Sequence, residues 1–412
     1  MSPSALPPGD PVPANGSLPP QAALGAHERD FGVYVHVPYC RVRCGYCDFN
    51  TYTATDFGAT GRTTYAGEVC REIEFADEVL KRGGVQKRLV NTVFFGGGTP
   101  TLLPAKDLAK MLHKIRDTWD FAPGAEITTE ANPDSVDLDY LQELREAGFT
   151  RVSFGMQSAV PETLRTLDRT HTPERVPQVV AWAKQVGLAV SVDLIYGSPG
   201  ETLAQWQQSL EAAISYEPDH ISAYALIVEE GTKMAGQISR GELSLPDDDT
   251  HADMYELADK LLGEAGFTWY EISNWARGEN QRSRHNLAYW LGHDWWGFGP
   301  GAHSHIGGVR WWNVKHPAAY AQRIAQGITP AHAREILDTE TRRTERLLLE
   351  TRIFTGLPVS VLNEREKHAI PQLLASELIK PAPLFQQQRL IPTLRGRLIA
   401  DTLIATLIAG KE

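Results

Sequence analysis

Apolar and polar residues alternate along this chain with two periods. Phe31 to Val37 carries valines at every second position, the period of a strand. Pro38 ends it, because proline has no N–H for a sheet ladder. From Thr64 to Lys81 the period lengthens, with Val69, Ile73, Ala76 and Leu80 at helical spacing. The two patterns then take turns. Strands are expected at Asn91 to Phe95, Glu126 to Ala131, Arg151 to Phe154, Leu188 to Tyr196 and His220 to Ile227. Helices are expected at Ala105 to Thr118, Leu138 to Ala147, Pro161 to Leu167, Pro173 to Val186 and Leu203 to Ser215. Six strands, each followed by a helix or crossover, predict a parallel sheet, since parallel neighbours need a long connection. The expected fold is α/β: a partial TIM-like (β/α)6 barrel.

The flanks read differently. Residues 1–28 are dominated by proline, alanine and glycine without apolar periodicity, and a disordered tail is expected there. The barrel is expected over 29–235 and an extension over 236–315. A small, mainly helical, winged-helix-like domain is expected over 316–412, with Leu347, Leu348 and Leu349 in its core. In the extension, Asp247, Asp248 and Asp249 suit a helix N-terminus. Met254, Leu257, Ala258 and Leu261 give that helix an apolar face, and a strand follows at Thr268 to Ile272.

At 412 residues, 42% hydrophobic and 22% charged, the chain has the composition of a globular protein with a large core. Its net charge of −11 argues against a nucleic-acid partner. It shows no apolar run of spanning length and no secretory leader pattern, so a cytoplasmic, reducing location is expected.

The densest chemistry follows the first strand. Cys40, Cys44 and Cys47 form C-x3-C-x2-C, three soft ligands for one metal centre. Three thiolates on a four-iron cluster leave one iron open to an exchangeable ligand. His36 also allows a structural Cys3His zinc site. A disulfide scaffold does not suit so long a chain with four cysteines, and Cys70 reads as an ordinary buried thiol. Gly96 to Gly98, Glu130, Gln157 and Asp193 all fall near C-terminal strand ends, where barrels of this kind gather their chemistry. The glycine run has neither the spacing of a dinucleotide fingerprint nor the lysine of a P-loop.

C-x3-C-x2-C with Tyr46 before the last cysteine, flanked by VYVHVPYC and CDFNTY, resembles the signature of radical S-adenosylmethionine (SAM) proteins. Within them it resembles the haem-chaperone branch related to the oxygen-independent coproporphyrinogen III oxidases, over roughly residues 31–400. The resemblance implies a [4Fe-4S] cluster on the three cysteines, with SAM chelating the open iron. It implies SAM contacts from Tyr34, Tyr46, Gly97, Gly98, Thr99, Glu130, Gln157, Arg169 and Asp193. The coproporphyrinogen oxidases carry a further cysteine two residues on; Phe49 stands there in this chain, which argues against porphyrinogen decarboxylation.

His285 opens an H-N-x-x-Y-W motif, and the resemblance links it to haem. Imidazole is a good axial ligand for iron, and His285 is favoured over His293, His303 and His305. Tyr289, Trp290, Trp295 and Trp296 are candidate walls for a porphyrin, and Arg282, Arg284 and Arg310 candidate partners for its propionates. Three readings result. The first is a chaperone that passes haem to acceptors such as membrane-bound respiratory enzymes, meeting the membrane only at its surface. The second is a radical SAM decarboxylase of porphyrinogens, and the third a zinc-binding interaction module. Monomer and homodimer stay equally open.

Overall fold

A computed structural model describes residues 7–53 and 60–409. Six parallel strands lie side by side in chain order: β1 (Phe31–Val37), β2 (Val90–Gly97), β3 (Phe121–Ala131), β4 (Arg151–Gln157), β5 (Ala189–Tyr196) and β6 (His220–Ala225). These are the six expected strands. β1 is buried along almost its whole length rather than on one face only, as a central strand covered on both sides should be. Against it packs the helix Thr60–Arg82, which buries Val69, Ile73, Ala76 and Leu80 as its pattern predicts. Burying Val69, Ile73 and Leu80 contributes about 1.5–3 kcal/mol each.

The sheet does not stop at six strands. Beyond β6, two short antiparallel strands follow, β7 (Thr268–Glu271) at the outer edge and β8 (Asn274–Ala276) against β6. On the other side β9 (Asp294–Phe298) pairs in parallel with β1. Then come β10 (His303–Ile306), β11 (Val309–Asn313) and β12 (Ala331–Ile336), all antiparallel, giving twelve strands in one sheet. The extension therefore completes both edges of the barrel sheet.

Two expectations are corrected. The segment from His316 is not wholly helical, because β12 lies within it and pairs with β11. Nor do residues 7–28 behave as a disordered tail. Asp10 and Arg334 exchange backbone hydrogen bonds of 2.8 and 2.9 Å, Thr329 donates to the Ala14 carbonyl, and Ala22 and Ala26 are buried. Short 3-10 turns at Pro20–Ala23 and Ala26–Glu28 shape this stretch. It is held through its backbone and small side chains, which leave no apolar period to read. Residues 1–6 lie outside the described residues.

From the helix Thr339–Glu350 onward a second core forms around Leu347, Leu373, Leu390, Leu403 and Leu407. This C-terminal unit is mainly helical, with a two-stranded sheet of Leu357–Pro358 and Arg389–Leu390. Arg397 ties it to the helix Asp248–Glu264 of the extension through a two-pronged pair with Asp259 at 2.9 and 2.7 Å. No described helix is long and apolar enough to cross a membrane.

Candidate cofactor site at the open end of the barrel

The cysteine loop is built on β1 and braced by β2. Cys40 N–H donates to the Tyr52 carbonyl at 2.9 Å and Tyr52 N–H to that of Pro38 at 2.7 Å, closing the loop at its base. The glycine run after β2 lies alongside: Gly98 N–H donates to the Val37 carbonyl and Thr99 N–H to that of Tyr39. This proximity demands glycine. A Cβ on Gly98 would stand 2.5 Å from the Tyr39 carbonyl oxygen. Gly97 has φ +109°, and a Cβ there would meet the His36 ring at 2.6 Å.

The three thiols share one poorly solvated neighbourhood. Burial, then the nearby Cys47 and Cys44, push the Cys40 thiol up to about 12; Thr99 and Thr51 hydroxyls oppose this by hydrogen bonding to its sulfur. Burial likewise raises Cys47. Thiolates so placed need a positive centre beside them. Arg169 stands 3.7 Å from the Cys44 sulfur, and its Nε has no hydrogen-bond partner. All four cysteines are free thiols. His36 does not complete a zinc site: its Nε2 meets the Asn50 carbonyl at 2.9 Å and its Nδ1 the Tyr34 hydroxyl at 3.0 Å. Among the described residues, no three His, Cys, Asp or Glu side chains are grouped tightly enough for a single metal ion. A four-iron cluster is larger than one ion and draws its sulfurs from farther apart. Three soft donors without a fourth protein ligand fit that cluster with one iron left open.

Next to the cysteines lie two half-buried carboxylates. Glu130 accepts Gly97 N–H at 3.1 Å. Burial, reinforced by Asp193, lifts its pKa to about 8. Asp193 is also raised by burial, against hydrogen bonds from Ser222 and Ser153, the latter 2.8 Å long. Gln157 takes φ +65° at an irregularity between Gly155 and Gln157, unusual for a residue with a side chain. A Cβ on Gly155 would lie 2.9 Å from the Gln157 amide and 3.2 Å from Arg169. Tyr46 packs with Leu226 and Met234, and Met234 N–H donates to the Gly45 carbonyl at 2.9 Å. The cysteine loop is thus fastened to the segment after β6.

Every residue expected to hold the cluster or SAM lines one cavity of about 600 Å³. Its volume and mixed polar and apolar walls suit a cofactor-sized ligand. Sequence reasoning missed its inner wall, where Ser153, Ser191, His220 and Ser222 also line the cavity. A signal existed. Ser153 pairs with Ser191, and Ser191 with His220, so small polar residues recur at aligned positions of strands that are otherwise apolar.

His285 lines the same cavity, deep in its interior. Its Nδ1 meets the Thr92 hydroxyl at 2.8 Å and its Nε2 the Tyr289 hydroxyl at 2.9 Å. The ring stacks on Phe94 at 5.1 Å, and burial lowers its pKa to about 3. Iron ligation would require one of these hydrogen bonds to break. Glu126 caps the helix Arg284–Trp290 by accepting the N–H groups of Arg284 and His285, both at 3.1 Å. The other haem candidates have structural partners too. Arg310 pairs with Glu335 and Glu345, and Arg282 with Glu279 and the Phe354 ring. Arg284 donates to the Gly124 carbonyl. Trp296 is buried edge-on against Trp311, and Trp295 packs against Tyr289. The two ring nitrogens of His305 engage the His293 carbonyl and Gly308 N–H, His293 accepts from Asp30 N–H, and His303 stacks on Trp312.

The Radical SAM superfamily matches residues 34–213. The haem chaperone HemW of Mycobacterium tuberculosis is 46% identical over 379 residues, 92% of this chain and 95% of its own. HemW of Bacillus subtilis is 34% identical, over 84% of this chain and 89% of its own. The solved structure of coproporphyrinogen III oxidase (HemN) from Escherichia coli superposes with a TM-score of 0.77. It is 22% identical and covers 94% of this chain and 92% of its own, which makes it a likeness of fold. With its α/β barrel, its cysteine-lined mouth and this identity along nearly the full length, the chain belongs to the HemW family of radical SAM proteins.

Proposed function

We propose that this protein is a haem chaperone that carries a [4Fe-4S] cluster and SAM at the barrel mouth and delivers haem to acceptor proteins. The observation that carries the reading is the meeting of residues from five strand ends in one cavity. In this reading Cys40, Cys44 and Cys47 hold three irons of the cluster. Gly97, Gly98 and Thr99 offer backbone and hydroxyl groups to the amino-acid end of SAM, while Glu130 and Asp193 accept from its amino or ribose groups. Gln157 and Arg169 complete the polar wall, and Tyr34 and Tyr46 supply aromatic surface. A reduced cluster and bound SAM supply one-electron radical chemistry. The chain's own residues exclude water from the sulfurs and fix the cysteine loop against the segment after β6.

Haem is the cargo, and its acceptors are proteins such as respiratory enzymes, reached from the cytoplasm. His285, the ligand that the resemblance favours, would reach iron only if the Tyr289 hydroxyl left Nε2. Support for the chaperone over the decarboxylase comes from Phe49, where the oxidases have a further cysteine. The test is anaerobic reconstitution followed by iron and sulfide analysis, haem titration, and transfer to an apo-acceptor. Under the proposal the wild type holds a cluster, binds haem and gives it up. Catalytic formation of protoporphyrinogen IX from coproporphyrinogen III with SAM and reductant would refute it.

A further inference from the structure

The cavity has two ends of opposite character. Its inner end is polar and closed, with Arg151, Ser153, Ser191 and His220 buried along it. Its mouth is apolar and open. Val42, Phe49 and Ile227 line the cavity, yet they are 47%, 58% and 70% exposed. Single exposed apolar side chains need no explanation, but three around one opening do.

This rim is preassembled. Val42 and Phe49 belong to the cysteine loop and Ile227 to the segment after β6. These two stretches are joined by the Met234 N–H to Gly45 carbonyl bond and by the packing of Tyr46 on Leu226 and Met234. One cation stands ready beside it. Arg41 is exposed at the mouth and makes no hydrogen bond or ion pair among the described residues. Its neighbour Arg43 is held back against the Phe49 carbonyl. Two acids, Asp48 and Glu229, also line the mouth, and Asp48 acts on Lys315.

We propose, resting on the haem-chaperone reading, that haem is received on this rim: one porphyrin face lies on Val42, Phe49 and Ile227, and a propionate pairs with Arg41. Shape and the unpaired Arg41 favour haem as the occupant, against the like charge of Asp48 and Glu229. A flat apolar ring with carboxylates at one edge matches an apolar rim with one unpaired guanidinium. Depth argues the same way. Thr92, which holds His285, lies five positions before Gly97 on β2, about 16 Å down the strand. Gly97, Glu130 and Asp193 lie at the strand ends above it. Once those residues hold SAM, the mouth is the part of the cavity left for a large apolar ligand, while His285 sits behind the cofactor.

The test uses the reconstituted full chain with cluster and SAM, titrated anaerobically with haem and followed by optical spectra. The variants are Phe49→Asp, Ile227→Asp and Arg41→Glu, with Phe385→Asp as a control at an exposed apolar position that does not line the cavity. Losing one buried aromatic or aliphatic contact should weaken haem binding about tenfold or more in Phe49→Asp and Ile227→Asp. Arg41→Glu should weaken it several-fold, and Phe385→Asp should match the wild type. Iron and sulfide content and SAM affinity are measured in every variant. Ile227→Asp, which lies off the cysteine loop, keeps the test decisive if Phe49→Asp loses its cluster. Wild-type haem affinity in Ile227→Asp and Arg41→Glu would overturn the proposal. So would loss of haem in His285→Ala alone, which would put the iron in the interior. Normal haem affinity with lost transfer would also overturn it and assign the rim to the acceptor protein. A wild type that bound no haem at all would instead defeat the chaperone reading itself.

Discussion

Glu130→Gln tests whether burial governs the site. The carboxyl is half-buried, accepts Gly97 N–H at 3.1 Å and is lifted from 4.5 to about 8, chiefly by lost hydration and then by Asp193. Glutamine keeps an oxygen for Gly97 and removes the charge. Below pH 4.5 the folded and unfolded chains are both protonated at this position, so the substitution changes stability little. Between 4.5 and about 8 the unfolded chain has released a proton that the folded chain still holds. Wild-type stability therefore falls as pH rises through this window, by about 1.4 kcal/mol per pH unit. Above about pH 8 the whole penalty is present, with a ceiling of about 5 kcal/mol from the gap between the two values. Half of that would raise the melting temperature of the variant by roughly 3 °C, given the unfolding entropy of a chain of 412 residues. The assay is thermal unfolding of cofactor-free wild type and variant at pH 5, 7 and 8.5, with SAM calorimetry on the reconstituted proteins. The variant should match the wild type at pH 5, exceed it at pH 8.5, and at pH 8.5, where the wild-type carboxyl is ionised, bind SAM about tenfold more weakly for want of the charged acceptor. A stability difference independent of pH, or a variant less stable at pH 8.5, would refute the reasoning.

Three other outcomes follow from the geometry. Cys44→Ser should abolish the iron and sulfide content of the anaerobically reconstituted protein, because two thiolates do not retain a four-iron cluster; colour and elemental analysis check this. Gly98→Ala drives a Cβ to within 2.5 Å of the Tyr39 carbonyl oxygen, and backbone there cannot give way without moving the cysteine loop. A loss of about 1–3 kcal/mol in stability and poorer iron retention are expected, read by denaturant titration and iron analysis. Arg397→Met removes both hydrogen bonds to Asp259 and the guanidinium over Trp269 at 4.4 Å. It should cost about 1–2 kcal/mol and make residues 339–409 more sensitive to limited proteolysis.

What could be read from the sequence was what repeats or clusters. The six barrel strands announce themselves because buried parallel strands are apolar runs of regular spacing, each closed by a helix. The cysteine triplet, the glycine run and the carboxylates stand at strand ends, so strand boundaries alone brought them to one mouth. The closing strands were hidden for a physical reason. β8, β10 and β11 are three to five residues long, and their tryptophans and histidines pack against one another rather than alternating. Residues 7–28 were hidden because they dock by backbone hydrogen bonds and buried alanines. His285 stood out by its motif, but no motif shows that both its ring nitrogens are engaged by Thr92 and Tyr289.

The second half of the chain explains how a loop so short can be held rigid. Were the sheet to end with its parallel strands, β1, which carries the cysteines, would be an exposed edge. Instead β9 pairs along it from Phe31 to Val35. The buried Glu72 then joins the two layers: it accepts from Gly299 N–H at 2.8 Å, the Asn313 amide at 2.8 Å and the Tyr320 hydroxyl at 2.6 Å. Asn50, three residues after Cys47, donates to the carbonyls of Pro300 and Lys315. The far side of the cysteine loop is therefore pinned by residues beyond position 299, well outside the stretch 34–213 that carries the superfamily match. The matched stretch carries the three cysteines, and the segment beyond it fixes where they stand. A change at Glu72 or Asn313, remote from any sulfur, thus bears on the cysteine loop through geometry rather than through contact.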